Sequence, residues 1–230
     1  RPTCRPVGAL SQRVRGAGRM STGKRVDLAS WPRAAQFRLF QTYDRPHYAV
    51  TVRMPVTAMM AEREVTGLSP FRHTIWAVGK GLHAVPELCM RFKGETVTQY
   101  RRLLLSPTVP LANGDFRYTY LAWNPDRARF DDHAADKITD VREGAPLNAN
   151  DGTIEDVAYL SCLPWLDYTS LDNALPGPDD CIPRVTWGKI VRKNKEFEMA
   201  MTIQVHHALV DGLQVGQFFD ATEAALAEFD

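Results

Sequence analysis

Residues 196–206 read Glu196-Phe197-Glu198-Met199-Ala200-Met201-Thr202-Ile203-Gln204-Val205-His206, and His207-Ala208-Leu209-Val210-Asp211-Gly212 follows at once. The first eleven alternate. Phe197, Met199, Met201, Ile203 and Val205 fall on one side, with Glu198, Thr202, Gln204 and His206 on the other, which is the period of a strand with an apolar face. Asp211-Gly212 then opens a segment to about Glu228. Its Val215, Phe218, Phe219, Ala225 and Leu226 recur at helical spacing, with the small Thr222 on the same side. The turn between such a strand and such a helix can hold side chains toward a cleft on rigid support.

His207 continues the odd parity of Phe197 to Val205 and is expected to lean toward the apolar face, where partial desolvation favours the neutral ring. Neutral imidazole can take a proton from an alcohol or thiol near pH 7. Asp211, four positions on, can cap the helix or form an ion pair that fixes the turn. A buried, hydrogen-bonded histidine beside a capping aspartate accounts for the same residues equally well. A metal site is not expected, because His206 and His207 are adjacent and point to opposite faces of a strand.

Working outward, Ser30 is a candidate N-cap for a helix running through Arg33 to about Phe40. His47–Arg53 alternates as a strand. Val56–Val65 reads as a short helix, and Ser69-Pro70 opens a longer one that Pro86 stops. A hairpin about Lys93-Gly94 joins Cys89–Phe92 to Glu95–Gln99. Thr108–Leu111, Arg117–Trp123, Asp156–Ser161 and Pro183–Val191 read as further strands, and Asp131–Arg142 as an acidic helix. Pro176-Gly177-Pro178 marks a surface loop. Strands and helices mix without strict β-α-β alternation. That favours an α+β fold: a two-layer sandwich of a mixed, largely antiparallel sheet with helices packed on one face.

The chain of 230 residues carries a formal net charge of +1, which hides an asymmetry. Seven of its 28 basic residues and none of its 27 acidic ones lie in residues 1–26, leaving a net of −6 for residues 27–230. Residues 1–26 are therefore expected to be a basic leader outside the fold: a tag, an upstream-translated segment or a transit-like peptide. Residues 27–230 are expected to form a single domain. An acidic body is a poor nucleic-acid binder. No apolar run approaches the roughly 20 residues of a membrane helix. Cys4, Cys89, Cys162 and Cys181 stand far apart without a C-x-x-C pair, which argues against structural zinc and a disulfide scaffold and suits a reducing, cytoplasmic setting. There is no G-x-G-x-x-G, G-x-x-x-x-G-K-[ST] or G-x-S-x-G, so nucleotide-fold dehydrogenases, P-loop enzymes and α/β-hydrolases lose support.

Six blocks occur in one order: Trp31-x-Arg33 followed by Phe37; Tyr48-Ala49-Val50-Thr51; Glu87-Leu88 with a basic strand after it; Ser161-x-Leu163-Pro164-Trp165; Pro183-x-x-Thr186-x-x-Lys189; and His207-x-x-x-Asp211-Gly212. In this order they resemble the chloramphenicol acetyltransferase family. The histidine block alone is shared with plant acyltransferases, nonribosomal condensation domains and 2-oxo acid dehydrogenase acyltransferases. The resemblance implies an acyltransferase that moves an acetyl group from acetyl-CoA, its co-substrate, to a hydroxyl of a small molecule. His207 is the implied general base and Ser161 the implied donor to the tetrahedral oxyanion. Asp211 is implied to pair with Arg33 and hold the loop. Thr186 is implied to hold an ordered water, and Lys189 to lie near the coenzyme's phosphates. A homotrimer with its active sites between subunits is also implied, with neither metal nor membrane nor nucleic-acid partner. A non-catalytic relative that binds a small molecule or CoA is the alternative.

Two departures bear on the acceptor. Leu213-Gln214 stands where the drug-inactivating enzymes carry an aromatic residue and a histidine. Leu39-Phe40 stands where they tend to place phenylalanine and tyrosine, so Phe40 removes a hydroxyl from the expected acceptor pocket. A missing hydrogen-bonding group changes preference far more than a missing methylene.

Overall fold

The computed structural model describes residues 23–228. Most of the basic head, Cys4 included, lies outside the described residues. In chain order the elements are β1 (Lys24–Arg25), α1 (Ala34–Gln41), β2 (His47–Pro55), α2 (Thr57–Thr66) and α3 (Pro70–Ala84). A 3-10 turn (Pro86–Cys89) leads to β3 (Met90–Lys93), β4 (Thr96–Gln99), β5 (Leu104–Pro110), β6 (Phe116–Tyr118) and β7 (Leu121–Ala122). Then come α4 (Arg127–Arg142), β8 (Val157–Cys162), β9 (Arg184–Trp187), β10 (Val191–Lys193), β11 (Glu196–His206) and α5 (Gly212–Leu226).

The main sheet runs β10-β11-β9-β8-β5-β6, with β2 on the other side of β11 and β7 paired to β5. Its pairings are antiparallel except β5 with β8 and β8 with β9. This is the mixed α+β layer that the alternating segments imply. β11 is central: β2 pairs along it from Glu198 to His206, and β9 and β10 share its other edge. Both of its faces are closed, so Thr202, Gln204 and His206 are as buried as Met201, Ile203 and Val205. The apolar positions join α3 and α5 in the core, with Ile75, Leu82 and Phe218 among the fully buried side chains.

α3 and α5 cross closely because of one glycine. A Cβ on Gly81 would stand 2.0 Å from Thr222 Oγ1 and 3.0 Å from the Phe218 carbonyl oxygen. A side chain there cannot be housed without parting the helices. The buried Thr222 hydroxyl donates to that carbonyl at 2.7 Å, which satisfies it inside the interface.

Several boundaries differ from those expected: the strand over Thr108–Leu111 begins at Leu104, that over Arg117–Trp123 is split into β6 and β7, and four others have a local cause. Lys24–Arg25, within the segment set aside as a leader, pairs with Thr98 and Gln99 in a separate three-stranded sheet, β1-β4-β3, so ordered strand pairing begins before residue 27. Ser30 does not cap α1: its hydroxyl donates to Asp27, and the helix starts at Ala34. α4 starts at Arg127 and not at Asp131, because the Asp126 carboxylate accepts from the Arg129 N–H and caps the helix there. The strand expected over Pro183–Val191 is broken after Trp187, for a reason that belongs to the site.

Candidate active site

β11 ends at His206, and the chain turns back on itself. The His207 N–H donates to the Pro46 carbonyl at 2.8 Å, while the Leu209 and Val210 N–H groups both return to the His206 carbonyl. Asp211 is the N-cap residue of α5, and Gln214 Oε1 accepts from the Asp211 N–H at 3.0 Å. Gln214 therefore closes the helix start by reaching back to its cap, as the third helical residue of a capping box does.

His207 lies one residue beyond the strand, where parity no longer governs its direction. Its ring stacks on Phe40 with centroids 3.8 Å apart and planes 8° from parallel, and Tyr48 sits 4.8 Å away at 50°. The expected apolar contact thus comes from α1 and β2, and about a third of the side chain stays open, at 36% exposure. Phe40 leaves a hydroxyl-free wall against the imidazole. Tyr48 was not foreseen as part of the site. Its hydroxyl donates to the Val210 carbonyl at 3.3 Å, and burial beside Asp211 pushes its pKa up to about 12, so it stays a neutral donor.

Arg33 binds the turn from below. Its Nε donates to the Ala208 carbonyl at 3.0 Å and Nη2 to the His207 carbonyl at 2.5 Å. Nη1 and Nη2 grip the two carboxylate oxygens of Asp211, the Nη2 bond measuring 2.7 Å. This planar two-point grip is the geometry for which arginine is suited and lysine is not. It holds the Asp211 carboxyl below its ordinary pKa, outweighing the opposing effect of desolvation. Asp211 Oδ1 also lies 3.0 Å from His207 Nδ1, without hydrogen-bond alignment. The expected ion pair is therefore present, and it anchors the histidine's own backbone.

His206 plays a different part. It is 2% exposed. Its Nδ1 accepts from the Ala208 N–H at 3.1 Å, which leaves the proton on Nε2 to donate to the Pro178 carbonyl at 2.9 Å. Burial, reinforced by the neighbouring His47, lowers its pKa to about 4. It is a neutral strut between the turn and the loop that covers the sheet.

Ser161 and Thr186 form a second cluster. They are register partners on β8 and β9, and Thr186 is in turn opposite Thr202, which is opposite Thr51. Hydroxyls therefore line one row across four strands. Thr51 and Thr202 share a 2.7 Å hydrogen bond, and Thr202 donates to Tyr168, whose hydroxyl donates to the Thr186 carbonyl at 2.7 Å. Tyr168 sits in an irregular segment, where no period marks it. Ser161 and Thr186 line one cavity with Tyr159 and Asn173, and His207 is not among the described residues around it. Thr186 faces a strand position five residues before His207, about 17 Å along β11, and Ser161 lies two strand spacings, about 10 Å, to the side. One chain does not bring His207 and Ser161 to the same atom.

Lys189 is exposed and lies in the break between β9 and β10. Gly188 explains the break. Its N–H still bonds Ala200, but the next N–H, that of Lys189, turns to the Leu166 carbonyl at 2.8 Å. A Cβ on Gly188 would stand 2.6 Å from that carbonyl oxygen and 3.0 Å from the Tyr168 ring. The crossing of the 163–168 segment over the sheet needs a residue without a side chain at that point. Among the described residues no cluster of three His, Cys, Asp or Glu could hold a metal, and no helix is long and apolar enough to cross a membrane.

Comparison with known proteins identifies relatives of the whole fold. The family model for chloramphenicol acetyltransferase covers residues 22–223. A chloramphenicol acetyltransferase of Streptomyces acrimycini is 22% identical over 209 residues, covering 88% of this chain and 94% of that protein. One from Escherichia coli is 26% identical over 208 residues, covering 85% and 90%. Among solved structures, a chloramphenicol acetyltransferase superposes with a TM-score of 0.80 at 21% identity, covering 89% of this chain and 100% of that one. An Azotobacter vinelandii dihydrolipoamide acetyltransferase superposes with a TM-score of 0.61 at 13% identity.

Proposed function

The chain belongs to the chloramphenicol acetyltransferase family, and on that premise we propose that this acyltransferase moves the acetyl group of acetyl-CoA to a hydroxyl of a small molecule, with His207 as general base. The observation that carries the reading is the Arg33–Asp211 clamp beneath a partly open histidine whose Nδ1 lies 3.0 Å from Asp211 Oδ1. We assign the ring proton to Nδ1, on the side of the Asp211 carboxylate, which leaves the Nε2 lone pair open.

The acceptor O–H gives its proton to Nε2 while its oxygen attacks the thioester carbonyl carbon of acetyl-CoA. The carbonyl becomes an oxyanion that accepts a hydrogen bond from the Ser161 hydroxyl, a contribution of about 3 kcal/mol when such a donor is preorganised. Collapse breaks the carbon–sulfur bond. The coenzyme leaves as a thiolate and takes the proton from His207, so the products are an acetyl ester and free CoA thiol. Asp211 does not need to accept a proton, because Arg33 already holds both of its oxygens. Thr186 holds a water beside the intermediate. The exposed Lys189 offers a cation to the coenzyme's phosphates, which the body's negative balance otherwise disfavours. Chloramphenicol and other alcohols are the acceptors to be compared. The spread of free cysteines, Cys89, Cys162 and Cys181, suits the cytoplasm.

The separation of the two clusters supports a site completed between copies, His207 of one chain facing Ser161 of the next in a homotrimer. Co-expressed His207→Ala and Ser161→Ala chains test this. Each homo-oligomer is impaired, and mixed oligomers regain acetyl transfer because some sites receive an intact His207 from one chain and an intact Ser161 from another. Mixed oligomers no more active than the separate variants would overturn the shared site.

A further inference from the structure

The cavity beside Ser161 and Thr186 has a volume of about 370 Å³, room for a small molecule. Most small-molecule sites are lined by apolar and aromatic groups with a few polar ones. Here side chains with a polar group outnumber the wholly apolar ones. Tyr118, Tyr159, Asn173 and Arg184 join Ser161 and Thr186, and the apolar lining among the described residues is two alanines, a leucine and a valine.

The polar lining is electrically quiet and rich in donors. Arg184 is bound at two points to Asp180, at 3.0 and 2.9 Å, and lies over the Tyr159 ring. Its charge is therefore matched within the chain. The Tyr159 oxygen accepts from Asn150 Nδ2 at 2.9 Å, which leaves its own hydrogen to donate. Asn173 is held by its backbone, whose N–H donates to Gln204 Oε1 at 2.9 Å, while Gln204 Nε2 bonds Asp172. The Asn173 side-chain Nδ2 is shielded from solvent and makes no hydrogen bond among the described residues. A buried donor left unpaired costs stability, and a ligand oxygen that meets it removes that cost.

We propose that this cavity holds the body of the acceptor, that the acceptor is a neutral, oxygen-rich molecule such as a glycoside, polyol or nucleoside, and that Asn173 selects it by donating to one of its oxygens. The inference rests on the acetyl-transfer reading of the same site. With Ser161 placed at the reacting carbonyl, the acceptor body must occupy space beside it, and Tyr159 and Arg184 stand two residues along their strands from Ser161 and Thr186. The coenzyme fits this space poorly, because its phosphates need an unmatched cation and Arg184 is already paired.

The test measures kcat/KM by CoA-thiol release for methyl glucoside, mannitol, uridine and chloramphenicol, with the native chain and with Asn173→Leu and Asn173→Ser. At least one oxygen-rich acceptor is expected to exceed chloramphenicol. Asn173→Leu is expected to lower that acceptor's kcat/KM roughly tenfold, with Asn173→Ser between the two and the KM for acetyl-CoA unchanged. The serine variant, checked by thermal unfolding, serves where the leucine variant does not fold. Preference for chloramphenicol, unaltered by either variant, overturns the acceptor class and leaves acetyl transfer standing. A raised KM for acetyl-CoA alone assigns the cavity to the coenzyme and overturns it as well. No thiol release with any acceptor overturns the acetyl-transfer reading and this inference with it.

Discussion

Arg33 and Asp211 are separated by 178 residues and meet in a two-point ion pair that also ties down the carbonyl groups of His207 and Ala208. The start of α1 and the start of α5 are thereby joined directly under the histidine. The pair belongs to the positioning of His207. It is not a proton relay, since both carboxylate oxygens are engaged by the guanidinium.

Loss of the clamp should therefore loosen the turn from either side, but unequally. Arg33→Ala removes contacts to two carbonyls as well as to Asp211, and we expect it to cost about 2 kcal/mol of unfolding free energy. Asp211→Ala should cost less, about 1 kcal/mol, because solvent reaches 40% of that side chain and screens the pair. Urea unfolding of the two variants checks the order. The folded carboxyl titrates below its ordinary value of 3.8, so the pair's contribution is present above that value and is lost as pH falls through the lowered one.

His206 makes stability sensitive to a milder acid range. Its folded pKa, about 4, lies below the ordinary 6.5. Between those values the unfolded chain binds a proton that the folded chain refuses, so stability falls as pH drops from 6.5 toward 4. The loss is at most about 3 kcal/mol. His206→Gln should be less stable at pH 8 and flatter across this window, read from unfolding midpoints at a series of pH values.

Gly188 should tolerate no side chain. Its Cβ position is blocked by a backbone oxygen, that of Leu166, and not by a flexible tip. Gly188→Ala should shift the 163–168 segment with Tyr168, costing about 1–3 kcal/mol and slowing acetyl transfer through Thr186. A normal melting midpoint for this variant would show that the segment adjusts freely.

Much of the arrangement was legible in the residues. The alternation of Phe197 to Val205 gave the strand end for end, because a long central strand with one apolar side has a period that nothing else in the chain mimics. The Arg33–Asp211 pair was reached through resemblance, since a sequence separation of 178 leaves no local sign of such a contact. Periodicity failed at His207, where the strand had already ended, and at Gly188, where a tertiary approach interrupts a run that reads as strand. Tyr168 and Asn173 lie in irregular chain whose placement comes only from partners on β11, so no pattern announces them. The Asp126 cap was readable in principle, as an aspartate three residues before the N–H it accepts from.

The most direct test of the account is acetyl-CoA thiol release by His207→Ala at saturating acceptor, with the fold verified by circular dichroism. General-base catalysis is worth about 10²–10⁴ in rate, and the account predicts a fall of that size with little change in the KM for acetyl-CoA. Turnover within a few-fold of the unmodified protein would contradict it.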